Sequence, residues 1–187
     1  MNRKALIALM PFVALAACGS ASEEPTETAA PTEAPTSDII GTATLNLADG
    51  TSVGTAELTG GADAVSIAIV LSGLPEGPHA VHLHTTGKCD APDFGSAGGH
   101  LNPGQHEHGN LNPNGAHLGD MPNAVIDASG NGTVTATLKG TREEIQAALF
   151  DADGTAVIVH EGEDDYLTDP TGNAGGRLAC GVITASS

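Results

Sequence analysis

Short alternating runs of side chains, cut apart by glycine, limit what this chain can fold into. In "AVSIAIVLSG" (64–73), Val65, Ile67, Ile69 and Leu71 stand two apart, and residues two apart share one face of a strand. The same pattern recurs in residues 41–49, 52–59, 79–86, 123–128, 132–140, 154–162 and 177–185, which makes eight strands. "TREEIQAALF" (141–150) has helical spacing, but it is short and reads as a loop with one helical turn. Eight strands separated by turns describe an all-β domain, either a sandwich or a closed barrel.

The first 37 residues stand apart from that pattern. "MNRK" is a basic lead, and "ALIALMPFVALAA" is apolar but too short for an ordinary membrane span, so residues 1–17 read as a signal peptide. It runs into "LAAC", Leu15 to Cys18, which resembles the lipobox of bacterial lipoproteins and implies lipidation of Cys18. Residues 18–37 are rich in Pro, Thr, Ser and Glu and lack large apolar side chains. Such a segment buries too little surface to offset its ordering entropy, and it reads as a flexible tether. The folded domain is expected over 38–187. The expected location is the periplasm or cell envelope, with membrane association through the lipid anchor only.

Charge and cysteines fit that picture. The chain carries a formal −17; without Arg3 and Lys4, four basic residues face 23 acidic ones, giving −19. Aromatics make up 2% and Trp is absent, so neither the basic footprint nor the stacking platforms of a nucleic-acid binder are present. With Cys18 lipidated, Cys89 and Cys180 remain, and two cysteines in an exported protein most simply form one disulfide. Closing a loop of roughly 90 residues contributes at most about 4–5 kcal/mol in the chain-entropy account.

Histidines carry the functional signal. "GPHAVHLHTTGKC" (77–89) holds His79, His82 and His84; strand alternation puts His82 and His84 on one face and His79 elsewhere. Residues 87–120 show little alternation, and a long loop without secondary structure is usually functional or disordered. One histidine in such a loop is ordinarily a solvated residue. His100, His106, His108 and His117 fall within 18 residues, and Asp120 follows. His160 ends the run "AVIVH". All-imidazole sets suit copper or zinc, and mixed His/Asp sets suit zinc. The ligands exceed what one tetrahedral site can use, so two metals are expected.

The motifs resemble those of copper/zinc superoxide dismutase. "GPHAVHLHTTGKC" is similar to that family's histidine-rich strand and "SAGGHLNPGQHEHGNLNPNGAHLGDMPN" to its metal loop. "VIVHEGEDD" resembles its later copper segment and "GNAGGRLACGVI" its C-terminal signature. The resemblance covers nearly all of residues 38–187. It implies an eight-stranded Greek-key flattened barrel with a long metal-binding loop, one copper and one zinc per chain. Copper ligands would be His82, His84, His100 and His160; zinc ligands would be His100, His108, His117 and Asp120, with His100 shared. His106 competes with His108, and the family spacing favours His108. His79 is expected to be a structural hydrogen-bonding residue. The resemblance further implies that Asp164 links ligands of the two metals, that Arg177 guides the anion, and that Cys89 pairs with Cys180.

Those assignments imply dismutation of superoxide, the small-molecule substrate, to dioxygen and hydrogen peroxide, with His100 also carrying a proton. The competing expectation is an exported copper- or zinc-binding or delivery protein without that activity. Net charge opposes capture of an anion, so local positive potential at Arg177 must supply any steering. The segment "LTDPTGNAG" (167–175) is short and lacks the lysine of many relatives, so steering is expected to be weaker here.

Overall fold

The computed structural model describes residues 38–186; the segments expected to be a signal peptide (1–17) and a lipid-anchored tether (18–37) lie outside the described residues. Ten strands and one α-helix follow in order: β1 (Asp38–Asn46), β2 (Ser52–Gly60), β3 (Val65–Leu71), β4 (Gly77–His79), β5 (Val81–His84), β6 (Ala124–Ile126), β7 (Gly132–Leu138), α1 (Arg142–Leu149), β8 (Ala156–His160), β9 (Arg177–Val182) and β10 (Thr184–Ala185). The main sheet is antiparallel, in the order β5-β8-β9-β1-β2-β3-β7, with β10 added to β1; β4 and β6 form a separate pair. The sheet curls into a half-barrel, and its sequence-distant neighbours, β1 beside β9 and β5 beside β8, are those of a Greek-key arrangement.

Alternation sets which face is inside. Val65, Ile67, Ile69 and Leu71 of β3 are buried with Leu45, Val53, Leu58, Val134 and Leu138 in one continuous core, while the residues between them are exposed or half-buried. Each fully buried aliphatic side chain contributes about 1.5–3 kcal/mol, so the interior, rather than the polar loop, holds the barrel together. β8 is buried on both faces. Val157 and Val159 enter the main core; Ala156 and Ile158 meet Phe94, Ala97 and the Cys89–Cys180 pair on the outside.

Two expected runs divide. The strand expected over 79–86 breaks at Ala80, whose backbone N–H reaches the Gly162 carbonyl, so His79 pairs with β6 while His82 and His84 pair with β8. The run expected over 177–185 is interrupted at Ile183. Eight runs thus become ten strands. The reading of residues 141–150 as a loop is corrected: Arg142–Leu149 is a helix. Thr141 and Glu144 form a reciprocal capping box, and Ile145 and Leu149 are buried, so a cap and packing stabilise what eight residues alone would not.

Candidate metal centre

The centre lies on the outer face of β5 and β8, beneath the loop that joins β5 to β6. His82 stands opposite Ile158 and His84 opposite Ala156, so both imidazoles face outward with His160, while Val81 and Leu83 face the core. The loop returns twice along β5. Leu83 N–H donates to Gly119 O (3.0 Å) and Leu101 N–H to Leu83 O (2.8 Å), which brings His100 and Asp120 over the strand. Ligand atoms of His82, His84, His100 and His160 all lie within 4.8 Å of one another, as do those of His82, His100, His108 and Asp120. His117 joins through its Nδ1, 3.2 Å from Asp120 Oδ1 and 3.4 Å from His100 Nδ1.

Outer hydrogen bonds decide which ring nitrogens face inward. Nε2–H of His82 donates to Asp164 Oδ2 and Nε2–H of His108 to Asp164 Oδ1, both at 2.9 Å. Nδ1–H of His84 donates to Gly98 O (2.9 Å), and Nδ1–H of His160 to Gly175 O (3.4 Å). This leaves His82 Nδ1, His84 Nε2, His100 Nε2 and His160 Nε2 buried without a hydrogen-bond partner, while His108 Nδ1 faces Asp120. Buried polar atoms are seldom left unpaired, and four on mutually close imidazoles are the pattern a bound cation explains. The geometry agrees. Nδ1 of His100, His108 and His117 lie 3.1, 3.1 and 3.2 Å from the single oxygen Asp120 Oδ1. A tetrahedral zinc with arms of about 2.0–2.1 Å has ligand–ligand edges of roughly 3.3–3.4 Å. Asp120 Oδ2 is meanwhile occupied by the backbone N–H groups of Gly109 (2.9 Å) and His117 (3.0 Å). The residues present therefore fit copper on the strand side and zinc on the loop side.

Titration behaviour sets His108 apart from the other shifted histidines, His117 included, which burial lowers. Burial pushes His82 down to about 4, His84 to about 2 and His160 to about 3. His108 moves the other way: burial would lower it, but the carboxylates of Asp120 and Asp164 outweigh that and raise it to about 9. Burial alone would raise Asp120 and Asp164; hydrogen bonds from His100 and His108 to the first, and from His108 and His82 to the second, hold both well below the usual carboxylate range.

The remaining sequence candidates are placed as follows. Arg177 begins β9, and its guanidinium donates to Phe94 O and Gly98 O, both at 2.6 Å. Gly98 O thus supports both Arg177 and His84. Cys89 and Cys180 are disulfide-bonded with Cα atoms 5.7 Å apart, which pins the segment carrying those carbonyls to β9. His79 is buried beside the centre, its Nδ1 2.7 Å from His160 O and its Nε2 3.0 Å from Pro75 O. His106 is exposed and paired through its backbone with Asn102.

Four residues escaped the sequence reading. The side chain of Asn123 pairs reciprocally with the Asp164 backbone (2.8 and 3.0 Å). Tyr166 accepts the Asn123 N–H at its hydroxyl and donates its own N–H to Asp164 Oδ1. Asp169 accepts the backbone N–H of His108. Gly172 (φ +63°) lies so close to the Asp164–His108 contact that a Cβ there would strike both side chains.

Comparison with known proteins gives the same reading. The family model for copper/zinc superoxide dismutase (SODC) matches residues 52–183. Superoxide dismutase [Cu-Zn] 1 of Aquifex aeolicus is 47% identical over 140 residues, covering 72% of this chain and 81% of that protein. The crystal structure of a SOD-like protein from Bacillus subtilis superposes with a TM-score of 0.70 at 36% identity, covering 75% of this chain and 96% of that one. The Cu/Zn superoxide dismutase of Brucella abortus gives 0.60 at 29% identity, covering 76% and 98%.

Proposed function

The chain belongs to the copper/zinc superoxide dismutase family, and from that premise we propose how its residues divide the work of dismutation. Two superoxide anions and two protons give dioxygen and hydrogen peroxide. Bound copper supplies the one-electron redox chemistry for this, and zinc supplies charge without redox change. His82, His84, His100 and His160 hold the copper; His100, His108, His117 and Asp120 hold the zinc. The observation that carries this division is the pair of clusters: four buried, unpartnered ring nitrogens on the strand side, and three ring nitrogens gathered on Asp120 Oδ1 on the loop side.

His100 sits between the sets. Its Nδ1 faces Asp120 and its Nε2 faces the strand imidazoles, so a proton held at Nε2 is placed for delivery to the peroxide. Asp164 fixes the rings of His82 and His108 from behind, which sets their tautomers and keeps the two halves in register. Arg177 has no carboxylate within ion-pair distance among the described residues, and two carbonyls fix its orientation. Its charge is therefore available to an incoming anion, and it is the guide that offsets the acidic surface.

The protein acts outside the cytoplasm, tethered by a lipid on Cys18, with residues 19–37 as the tether. "LAAC" after a short apolar stretch supports the anchor, and a disulfide-bonded domain suits an oxidising compartment. Cys18→Ser releases the protein from membranes or blocks processing; unchanged fractionation and unchanged mass would count against lipidation. The dismutase reading is tested by metal analysis beside a superoxide-consumption assay on the full chain. One copper and one zinc with rapid consumption is the expected result; both metals without consumption would favour a binding or delivery protein.

A further inference from the structure

Loop 164–176, between β8 and β9, carries three aspartates with different work. Asp164 joins His82 to His108. Asp165 folds the loop on itself: its carboxylate accepts from Leu167 N–H, Thr168 N–H, the Thr168 hydroxyl and the Asn173 amide, at 2.6–2.9 Å. That closed turn brings Asp169 forward onto the metal loop. Asp169 Oδ1 lies 2.6 Å from the backbone nitrogen of His108, 61 residues away in sequence. The same oxygen lies 3.9 Å from His117 Nε2.

His117 is otherwise the exception in the centre. The outer nitrogens of His82 and His108 meet Asp164, that of His84 meets Gly98 O and that of His160 meets Gly175 O; His100 is shared between the sets. Among the described residues, Asp169 is the acidic side chain within ion-pair distance of the outer nitrogen of His117. At 3.9 Å that contact is electrostatic rather than a hydrogen bond, and the Asp169 side chain is 49% exposed, so solvent weakens it. The short charge-assisted bond to the His108 amide is the stronger part, because it fixes the backbone that carries a ligand.

We propose that Asp169 is a positioning residue for zinc: one carboxylate oxygen fastens the metal loop at His108 and orients His117 from outside. The C-terminal loop of this chain, which lacks lysine, thereby serves retention of zinc more than attraction of the anion. The inference rests on the reading that His108 and His117 hold zinc.

Zinc and copper affinities of the full chain, measured by chelator competition, test it in wild type, Asp169→Ala, Asp169→Asn and His117→Ala, with the visible spectrum of cobalt(II) in the zinc position as a second readout. Asp169→Ala lowers zinc affinity about 10- to 100-fold, leaves copper within about twofold and shifts the cobalt bands. Asp169→Asn falls between, since its amide oxygen still accepts the His108 N–H. Zinc affinity within about twofold of wild type in Asp169→Ala, equal loss of copper and zinc, or an Asn variant no better than Ala overturns the proposal. His117→Ala separates the two claims. Unchanged zinc affinity there sinks the zinc assignment itself; loss there without loss in Asp169→Ala sinks only the role of Asp169.

Discussion

The two halves of the metal centre are held in different ways. His82, His84 and His160 stand on β5 and β8, where a ladder from Val81↔Val159 to His84↔Ala156 fixes their spacing before any metal arrives. His108, His117 and Asp120 stand on a loop that has no strand of its own. Their positions depend on single contacts: Gly109 and His117 N–H to Asp120 Oδ2, His108 N–H to Asp169, and Leu111 N–H to Tyr166 O. A strand-held set is preorganised by the fold. A loop-held set has more chain entropy to lose, and metal binding supplies part of the compensation. Three of the four proposed copper ligands are therefore in place before metal arrives, whereas the proposed zinc set is completed by the metal.

Removing a strand ligand should separate the halves most sharply. His160→Ala drops dismutation to the uncatalysed rate while zinc content stays near wild type, as read by metal analysis and superoxide consumption on one sample. Loss of zinc along with copper would show that the halves do not load independently.

Acid distinguishes them next. In the metal-free chain His108, raised to about 9, holds a proton that zinc must displace. Zinc affinity therefore falls about tenfold per pH unit below that value, or roughly a hundredfold between pH 8 and 6. His82, His84 and His160, lowered to about 4, 2 and 3, hold no proton in that range, so copper has none to displace from these three and its affinity falls less steeply than that of zinc. Competition titrations across the range check both slopes, and a level zinc curve would refute the proton on His108.

Arg177→Ala removes no proposed ligand, and His84 keeps its own bond to Gly98 O, so both metals should stay. It lowers the second-order rate with superoxide by about tenfold and weakens inhibition by small anions. Arg177→Lys falls between, keeping charge but losing the planar fork that rests on Phe94 O and Gly98 O. Salt should slow wild type more than the Ala variant; acceleration by salt would mean that the acidic surface dominates the approach. The smallest effect belongs to His106→Ala, with rate and zinc content within about twofold of wild type, since an exposed loop side chain makes no such contact. Loss of zinc there, and not in His108→Ala, would move the loop ligand by two residues.

What the sequence disclosed follows the same division. Alternation was enough to put His82 and His84 on one face, because strand period is a local property. The break at Ala80 was not legible, since it depends on Gly162, far along the chain. The helix over Arg142–Leu149 was read as a single turn although its spacing and its Thr141–Glu144 cap are local, because the burial of Ile145 and Leu149 that extends it is not. Ligand types and order were visible in the loop, but their supports were not: Asn123 meets Asp164 41 residues away, and Asp169 meets His108 across 61. Such partners are polar residues of ordinary composition, and only the folded chain tells them from solvated ones.

β5 and β8 each serve two purposes on opposite sides, Val81, Leu83, Val157 and Val159 within the barrel and His82, His84 and His160 without. Gain or loss of one residue inside either strand would turn imidazoles into the oil and valines onto the metals, destroying fold and chemistry in one event. Length changes can survive only beyond the strand ends, so insertions and deletions in descendants of this chain should collect in the loops while the strand spacing stays fixed.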